Sequence, residues 1–365
     1  MKSRVFFLPA DRREGEGALA EKTERLFLAL GLHQRITKED FVAIKIHFGE
    51  KGNTGFIKPA WLTGMVRQLR ARTNRVFFTD TNTLYIGERS NAVDHLRLAA
   101  SHGFSLEKTG VPVLIADGLA GENDEEIKVG LKWVKAAKVG RGITQADFLL
   151  CLSHFTGHVQ TGMGAAIKNM GMGCASRAGK LEQHSDVRPR INPKLCRNCS
   201  LCLDYCPAGA IVQKEGSAHI LDERCIGCGE CLVVCKLGAV KMRWDSDSAR
   251  VQEKMAEYAF AVWSRFKEKA GFLNFLLQIT KDCDCMAKDQ PEIVEDIGIL
   301  SSADPVALDK ASVDLVVGGR KKDVLRLGYD LDWSVQLRHG QAVGLGSLEY
   351  ELVRLETEAQ AGSRH

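Results

Sequence analysis

Eight of the chain's twelve cysteines fall between positions 196 and 235, at the spacing of a metal-ligand set rather than of a disulfide framework. Cys196, Cys199 and Cys202 are followed by Cys206 and Pro207, and Cys225, Cys228 and Cys231 are followed by Cys235. Three thiolates two residues apart wrap a tight loop around one face of a cubane cluster. The fourth, placed just before a turn, reaches across to the other cluster. The pattern therefore predicts two [4Fe-4S] clusters. One is held by Cys196, Cys199, Cys202 and Cys235, the other by Cys225, Cys228, Cys231 and Cys206. Structural zinc fits less well, because zinc sites use paired cysteines rather than runs of three plus one.

A second dense stretch runs from Ser153 to Cys174 and holds His154, His158, Lys168 and several glycines. It continues through Arg177 and Lys180 to His184. Glycines beside a lysine can cradle an anion through backbone N–H groups, although neither a Walker A loop nor a dinucleotide fingerprint is present. Cys283 and Cys285 flank a single aspartate. Thiols one residue apart are expected not to bridge each other without strain, but to be able to share a metal. A third metal site at Cys174, Cys283 and Cys285, with His154, His158 or His184 nearby, is the expectation, set against three unrelated buried thiols. Cys151, inside an apolar run, reads as core.

Four short β-rich runs precede the cysteines: Val42–Ile46, Val76–Thr79, Val113–Ala116 and Phe148–Leu152. Helical stripes lie between and before them, at Leu19–Leu30 and after Pro59. Apolar strands alternating with helices imply an α/β fold with a mostly parallel sheet covered on both faces. The first three strands run into His47, Asp80 and Asp117, and the fourth reaches His154. Carboxyl ends of parallel strands line the ligand crevice, so these polar groups read as a site; the competing view is that Asp80 and Asp117 only cap turns.

After the cysteines, a helix over Val251–Phe266, a strand near Glu295–Leu300 and a helix capped by Asp304 with Pro305 in its first turn restore α/β character. The expected organisation is an α/β domain in two parts, 1–188 and 246–365, interrupted by a small α+β unit at 189–245.

At 365 residues, 45% hydrophobic and 26% charged, the chain is an ordinary globular sequence with room for two domains. The apolar run Val5–Ala10 is too short for a signal peptide, and no run approaches a membrane span, so a cytoplasmic, reducing location is expected. The formal charge of +4 is offset by about −2 from each cluster, so no nucleic-acid partner is implied.

Two resemblances follow from these motifs. Cys196–Cys235 resembles the two-cluster bacterial ferredoxins over about 50 residues, with Lys236 standing where the second motif usually has proline. Arg197 and Lys236 place positive charge near the clusters, which favours their reduced state. The runs Ser153–His158, Gly164–Asn169, Gly171–Cys174 and Asp282–Cys285, with Asp296–Leu300 and Asp304–Asp309, resemble the family named domain of unknown function 362. That resemblance covers nearly the whole chain around the cysteine segment, implies an α/β fold and a redox setting in anaerobes, and supplies no reaction.

Together these readings point to low-potential electron transfer. The leading expectation is an oxidoreductase passing electrons to a substrate or second cofactor in the crevice. His154, His158 and Lys168 are the catalytic candidates, and His47, Asp80, Asp117, Arg177 and Lys180 the binding candidates. A flavin, a nucleotide or the third metal centre would be the additional cofactor, with a redox partner protein and a small anionic substrate as partners. Two alternatives stand beside it: a non-catalytic adaptor docking a partner enzyme, and a metallocofactor assembly protein.

Overall fold

Runs such as Val42–Ile46, in which all five residues are buried, can only be accommodated in a sheet covered on both sides. A computed structural model of the chain describes residues 2–85, 87–184, 189–206, 208–225, 231, 234–235, 237–241, 247–318, 320 and 322–356. Eight strands form one sheet: β1 (Ser3–Pro9), β2 (Val42–Ile46), β3 (Val76–Asp80), β4 (Val113–Ile115), β5 (Phe148–His154), β6 (Ala270–Leu276), β7 (Gly298–Ser302) and β8 (Tyr350–Arg354). Their order is β8-β1-β7-β6-β5-β2-β3-β4. Only β7 runs antiparallel to its neighbours, β1 and β6. The fold is α/β with a mostly parallel sheet, and β6 pairs directly with β5 although about 115 residues separate them. Strands from both sides of the cysteine segment therefore belong to one sheet.

Side-chain alternation divides the core into two layers. Val42, Ile44, Leu150 and Leu152 join a cluster with Leu19, Leu26 and Phe27 of α1 (Glu16–Ala29) and Met65 and Leu69 of α2 (Thr63–Arg70). Ala43, Leu149 and Cys151 face the other way. They pack with a long helix (Ser248–Phe266) through Met255 and Val262, and with the helix Pro305–Val317 through Val306 and Val313. Asp304 caps the latter helix, its carboxylate accepting from Val306 and Ala307 N–H at 2.9 Å each. Gly31 ends the first helical stripe in the left-handed conformation, φ 72°.

Three strands were not anticipated. Val5–Ala10 lies mostly within β1, which pairs with β7 and β8, whereas its apolar character was weighed only as a leader. β6 and β8 carry Asn274 and Glu351 respectively, which blurs their strand pattern.

The cysteine segment forms two short antiparallel pairs, Arg190–Ile191 with Val240–Lys241 and Ile211–Lys214 with Ser217–Ile220. Its small core joins Cys202, Ile211, Ala218, Cys231 and Val240, and Leu84 and Leu181 of the α/β part pack into that same core. Pro207, Cys228 and Lys236, like the boundary positions Arg188 and Asp245, lie outside the described residues. Among the described residues no helix is long and apolar enough to cross a membrane.

Candidate functional site

Parallel strands β2, β3, β4, β5 and β6 all end on the same edge of the sheet, and that edge gathers the polar groups. At its centre is Lys45, on β2 and 1% exposed. Its ammonium meets Asp80 Oδ1 at 2.9 Å and Asn169 Oδ1 at 2.7 Å. Asp80 also receives Arg89 at 3.3 Å and faces His95 at 3.7 Å. Burial alone would raise the Asp80 carboxyl, but the charges of Lys45 and Arg89 hold it well below the usual carboxylate range. Arg89 in turn meets Glu50 at 3.4 Å and the Tyr85 hydroxyl. Burial pushes His95 down to about 3, so its ring is neutral.

Asp117 accepts from the Asn82 backbone and side-chain N–H groups at 2.9 Å each, and burial pushes its carboxyl up to about 6. Lys180 donates to Thr81 Oγ1 and to the Ala175 carbonyl, 2.5 Å, and burial lowers it to about 8. Arg177 donates to the Ser90 and Ala120 carbonyls at 2.8 and 3.4 Å. His47, half-buried at the end of β2, accepts from Gly49 N–H through Nδ1, and burial and then Arg89 keep it neutral. Asp80 and Asp117 thus belong to a buried network rather than to turn caps.

Lys168 differs from the other cations. It is half-buried, and among the described residues its ammonium has neither a hydrogen bond nor an ion pair. Burial, then Arg89, lowers it to about 8. Lys45 is matched by Asp80, Arg89 by Glu50, Lys180 by Asp117 and His154 by Asp284. Lys168 has no such ion-pair partner among the described residues, which is the electrostatic condition for binding an anion.

His154 is committed elsewhere. Its Nδ1 lies 2.9 Å from Asp284 Oδ1, and its Nε2 lies 2.7 Å from the Leu277 carbonyl. Both partners only accept, so both ring nitrogens carry protons. Burial would lower the ring's pKa, but the Asp284 carboxylate and these hydrogen bonds raise it above the ordinary value. The histidine expected to be catalytic instead anchors the Cys283–Cys285 loop. Because the folded pKa is raised, the pair's stabilisation is complete below about pH 6.5 and fades as pH rises through the folded value. The stability difference between wild type and His154→Gln is thus expected to be largest at pH 6 and to shrink by pH 9 in urea denaturation. An equal difference at both pH values would contradict an ionic pair.

Three further expectations are corrected. The glycine-rich stretch was expected to cradle an anion through backbone N–H groups; within it, the N–H groups of Ala166 and Ile167 are each taken at 2.9 Å by the Asp309 carboxylate. The glycines before Cys174 serve packing: a Cβ on Gly171 would strike the Met255 carbonyl, and one on Gly173 would lie 2.7 Å from Lys45 Nζ. Cys174 is buried beside Cys151, and burial pushes its thiol up to about 12. The close group among the described residues is instead His158, Cys283 and Cys285, whose ligand atoms lie within 4.8 Å of one another. Cys283 and Cys285 are closed into a disulfide, contrary to the expectation that they would not bridge; their Cα atoms, 5.3 Å apart, lie within the usual range for one.

The cysteine segment approaches this edge through Leu84, two residues beyond Asn82, and Leu181, next to Lys180. Within it, Cys202 has Cys235, Cys196 and Cys199 as neighbouring thiols. Backbone N–H groups of Ala210 and Ala239 point at Cys206 and Cys235 sulfur, each at 3.2 Å, in matching positions four residues after the cysteine. Asn198 and Ser200 are left-handed, with φ 51° and 65°, which curls the loop between Cys196 and Cys202. An open cavity of about 400 Å³ lies away from the Lys45–Asp80 network and is lined by Asn53, Phe56, Lys58, His102 and Lys108.

Lys45, Glu50, Asn82, Arg89, Asn169 and Asp284 were not among the expected site residues. Lys45 carried a signal, a cation inside an otherwise apolar strand, and Asp284 was visible between its cysteines. Arg89 and Glu50 sit in loops with no distinguishing pattern.

Fold and site define an α/β protein with a charged crevice at the carboxyl edge of its sheet. The chain belongs to the family described as Domain of unknown function (DUF362), whose model matches residues 42–314. No curated protein matches it. Among solved structures it is similar to the lactate racemase apoprotein from Thermoanaerobacterium thermosaccharolyticum, with 11% identity, a TM-score of 0.42, and 87% of this chain and 58% of that chain covered. It is also similar to a protein from Thermotoga maritima, with 11% identity, a TM-score of 0.40, and 84% and 59% covered. The chain spans under three fifths of the length of both, and likeness this loose carries no argument about chemistry.

Proposed function

We propose that this chain is an iron–sulfur oxidoreductase that passes low-potential electrons to an anionic substrate or cofactor at the Lys45–Asp80 crevice. Two [4Fe-4S] clusters, held by the eight cysteines as assigned above, would supply one-electron transfer at low potential. Supporting that ligand set are the repeated N–H···S contacts at Cys206 and Cys235 and the left-handed curl of the first loop.

The observation that carries the oxidoreductase reading is the shared core of Leu84 and Leu181 with Cys202 and Cys231. Each leucine stabilises the docking by about 1.5–3 kcal/mol, enough to hold the cysteine unit against the crevice. Asn82, Arg89 and Lys180 lie on the same loop and helix as these leucines, so the crevice and the electron carrier share a wall. Lys168 supplies the charge an anion would neutralise, and its neutral form, accessible near pH 8, suits it to give or take a proton.

The test is reoxidation. The full chain, loaded anaerobically with iron and sulfide and reduced with dithionite, is freed of reductant and mixed with flavin mononucleotide, NAD or small 2-oxo acids. One of these anions is expected to reoxidise it, and Lys168→Met should weaken that acceptor's binding about 10–100-fold, the loss of one charge-assisted bond. Reoxidation only by a partner protein, with no anion bound, would favour the adaptor reading instead.

A further inference from the structure

We propose that His158, Cys283 and Cys285 form a zinc site that exists only when the Cys283–Cys285 disulfide is reduced. One ring nitrogen and two sulfurs within 4.8 Å of one another are three of the four ligands of a tetrahedral zinc centre. Around zinc the two sulfurs would sit about 3.8 Å apart, which side-chain rotation reaches once the bond between them is broken.

The surroundings hold this group in place. Asp284, between the cysteines, is pinned by His154 through its carboxylate and by Glu50 N–H through its carbonyl, 2.9 Å in each case. Met286 N–H bonds the Cys283 carbonyl at 3.0 Å, and the Tyr329 hydroxyl bonds Asp282. The His158 ring is fixed at Nδ1, with Thr161 Oγ1 at 2.8 Å and the Thr161 and Gln160 N–H groups at 3.2 and 3.3 Å. Nε2 is then the nitrogen for a metal. As Nδ1 accepts from these two N–H groups, the ring proton is on Nε2 here. Zinc at Nε2 would shift it to Nδ1, which then gives up the two longer N–H contacts and donates to Thr161 Oγ1, whose own proton goes to the Met163 carbonyl at 2.7 Å. His158 and Cys283 are each 8% exposed, while Cys285 is half-buried and provides the approach from solvent.

The chemistry balances in two steps. A two-electron reductant such as a dithiol or a phosphine breaks the S–S bond, and two electrons with two protons give two thiols. Zn²⁺ then replaces both thiol protons, binding two thiolates and the neutral imidazole, with the fourth position left for water or another ligand. The oxidised protein offers zinc no thiolate here. The site would therefore report the redox state of its surroundings, and would add a Lewis acid to the chain only under reducing conditions.

The experiment compares the full chain with the Cys283→Ser/Cys285→Ser double variant, each treated with a phosphine or left oxidised, then titrated with Zn²⁺ alone. After reduction the wild type should bind one more zinc per chain than the double variant and expose two more thiols. Without reduction the two proteins should bind equally. This difference holds whether or not the cysteines at 196–235 carry iron, since both proteins share them. His158→Gln should keep the two extra thiols while weakening the extra zinc at least about 10-fold, the low end of what loss of a mere supporting partner costs. Equal zinc in the two reduced proteins would overturn the proposal. So would an extra zinc that survives oxidation, or one indifferent to His158→Gln.

Discussion

Lys45→Met is expected to destabilise the protein by about 3–5 kcal/mol, the cost of stripping one partner from a buried ion pair. Asp80 would keep Arg89 at 3.3 Å but lose its closest cation, and Asn169 Oδ1 would lose its donor. Methionine fills similar space, so the loss comes from the uncompensated carboxylate and not from a cavity. Adding Asp80→Asn should recover part of the deficit, because the charge that Lys45 neutralises is then gone. The pH dependence follows from the depressed Asp80 carboxyl: its contribution is present above the unfolded value near 3.8 and is lost only as pH falls through a much lower folded value. The deficit of Lys45→Met should therefore be undiminished at pH 4.5 relative to pH 7 in urea denaturation. A deficit below about 1 kcal/mol would mean the pair is dispensable.

Cys206→Ser is expected to damage the cluster served by Cys225, Cys228 and Cys231 while sparing the one served by Cys196, Cys199 and Cys202. In such a pair of motifs the fourth ligand of each crosses to the other cluster. Cys202 already has Cys235, from the far motif, among its neighbouring thiols. By the internal repeat, Cys206 should serve the opposite set: the N–H of Ala210 meets Cys206 sulfur as that of Ala239 meets Cys235 sulfur, both at 3.2 Å. A serine there leaves one three-thiolate set, and about half the iron should remain in a cubane with four sulfur ligands. Loss of the first cluster's signal alone would reverse the assignment.

Much of this arrangement was legible because it is local. The eight close cysteines stand out by their spacing, and strands β2 to β5 by short apolar runs ending in His47, Asp80, Asp117 and His154. Their gathering at one edge follows from parallel pairing, which puts every carboxyl end on the same side. Hidden features depend on contacts distant in sequence. His154 meets Asp284 130 residues away, and Ala166 N–H meets Asp309 143 residues away. No local pattern distinguishes a histidine that will be locked by a remote carboxylate from one free to move protons. The same holds for helix N–H groups already capped from afar. Lys45 was readable, since a lysine in Val42–Ile46 must either break the strand or find a buried anion.

Iron counting and electron paramagnetic resonance on the full chain, reconstituted anaerobically, test the central claim most directly. The account predicts about eight irons per chain and, after dithionite reduction, about two spins with the broadening of two coupled [4Fe-4S] centres. In Cys206→Ser about one spin should remain, uncoupled. A chain that takes up zinc in place of iron at these cysteines, or that holds iron giving no reducible signal, would contradict it.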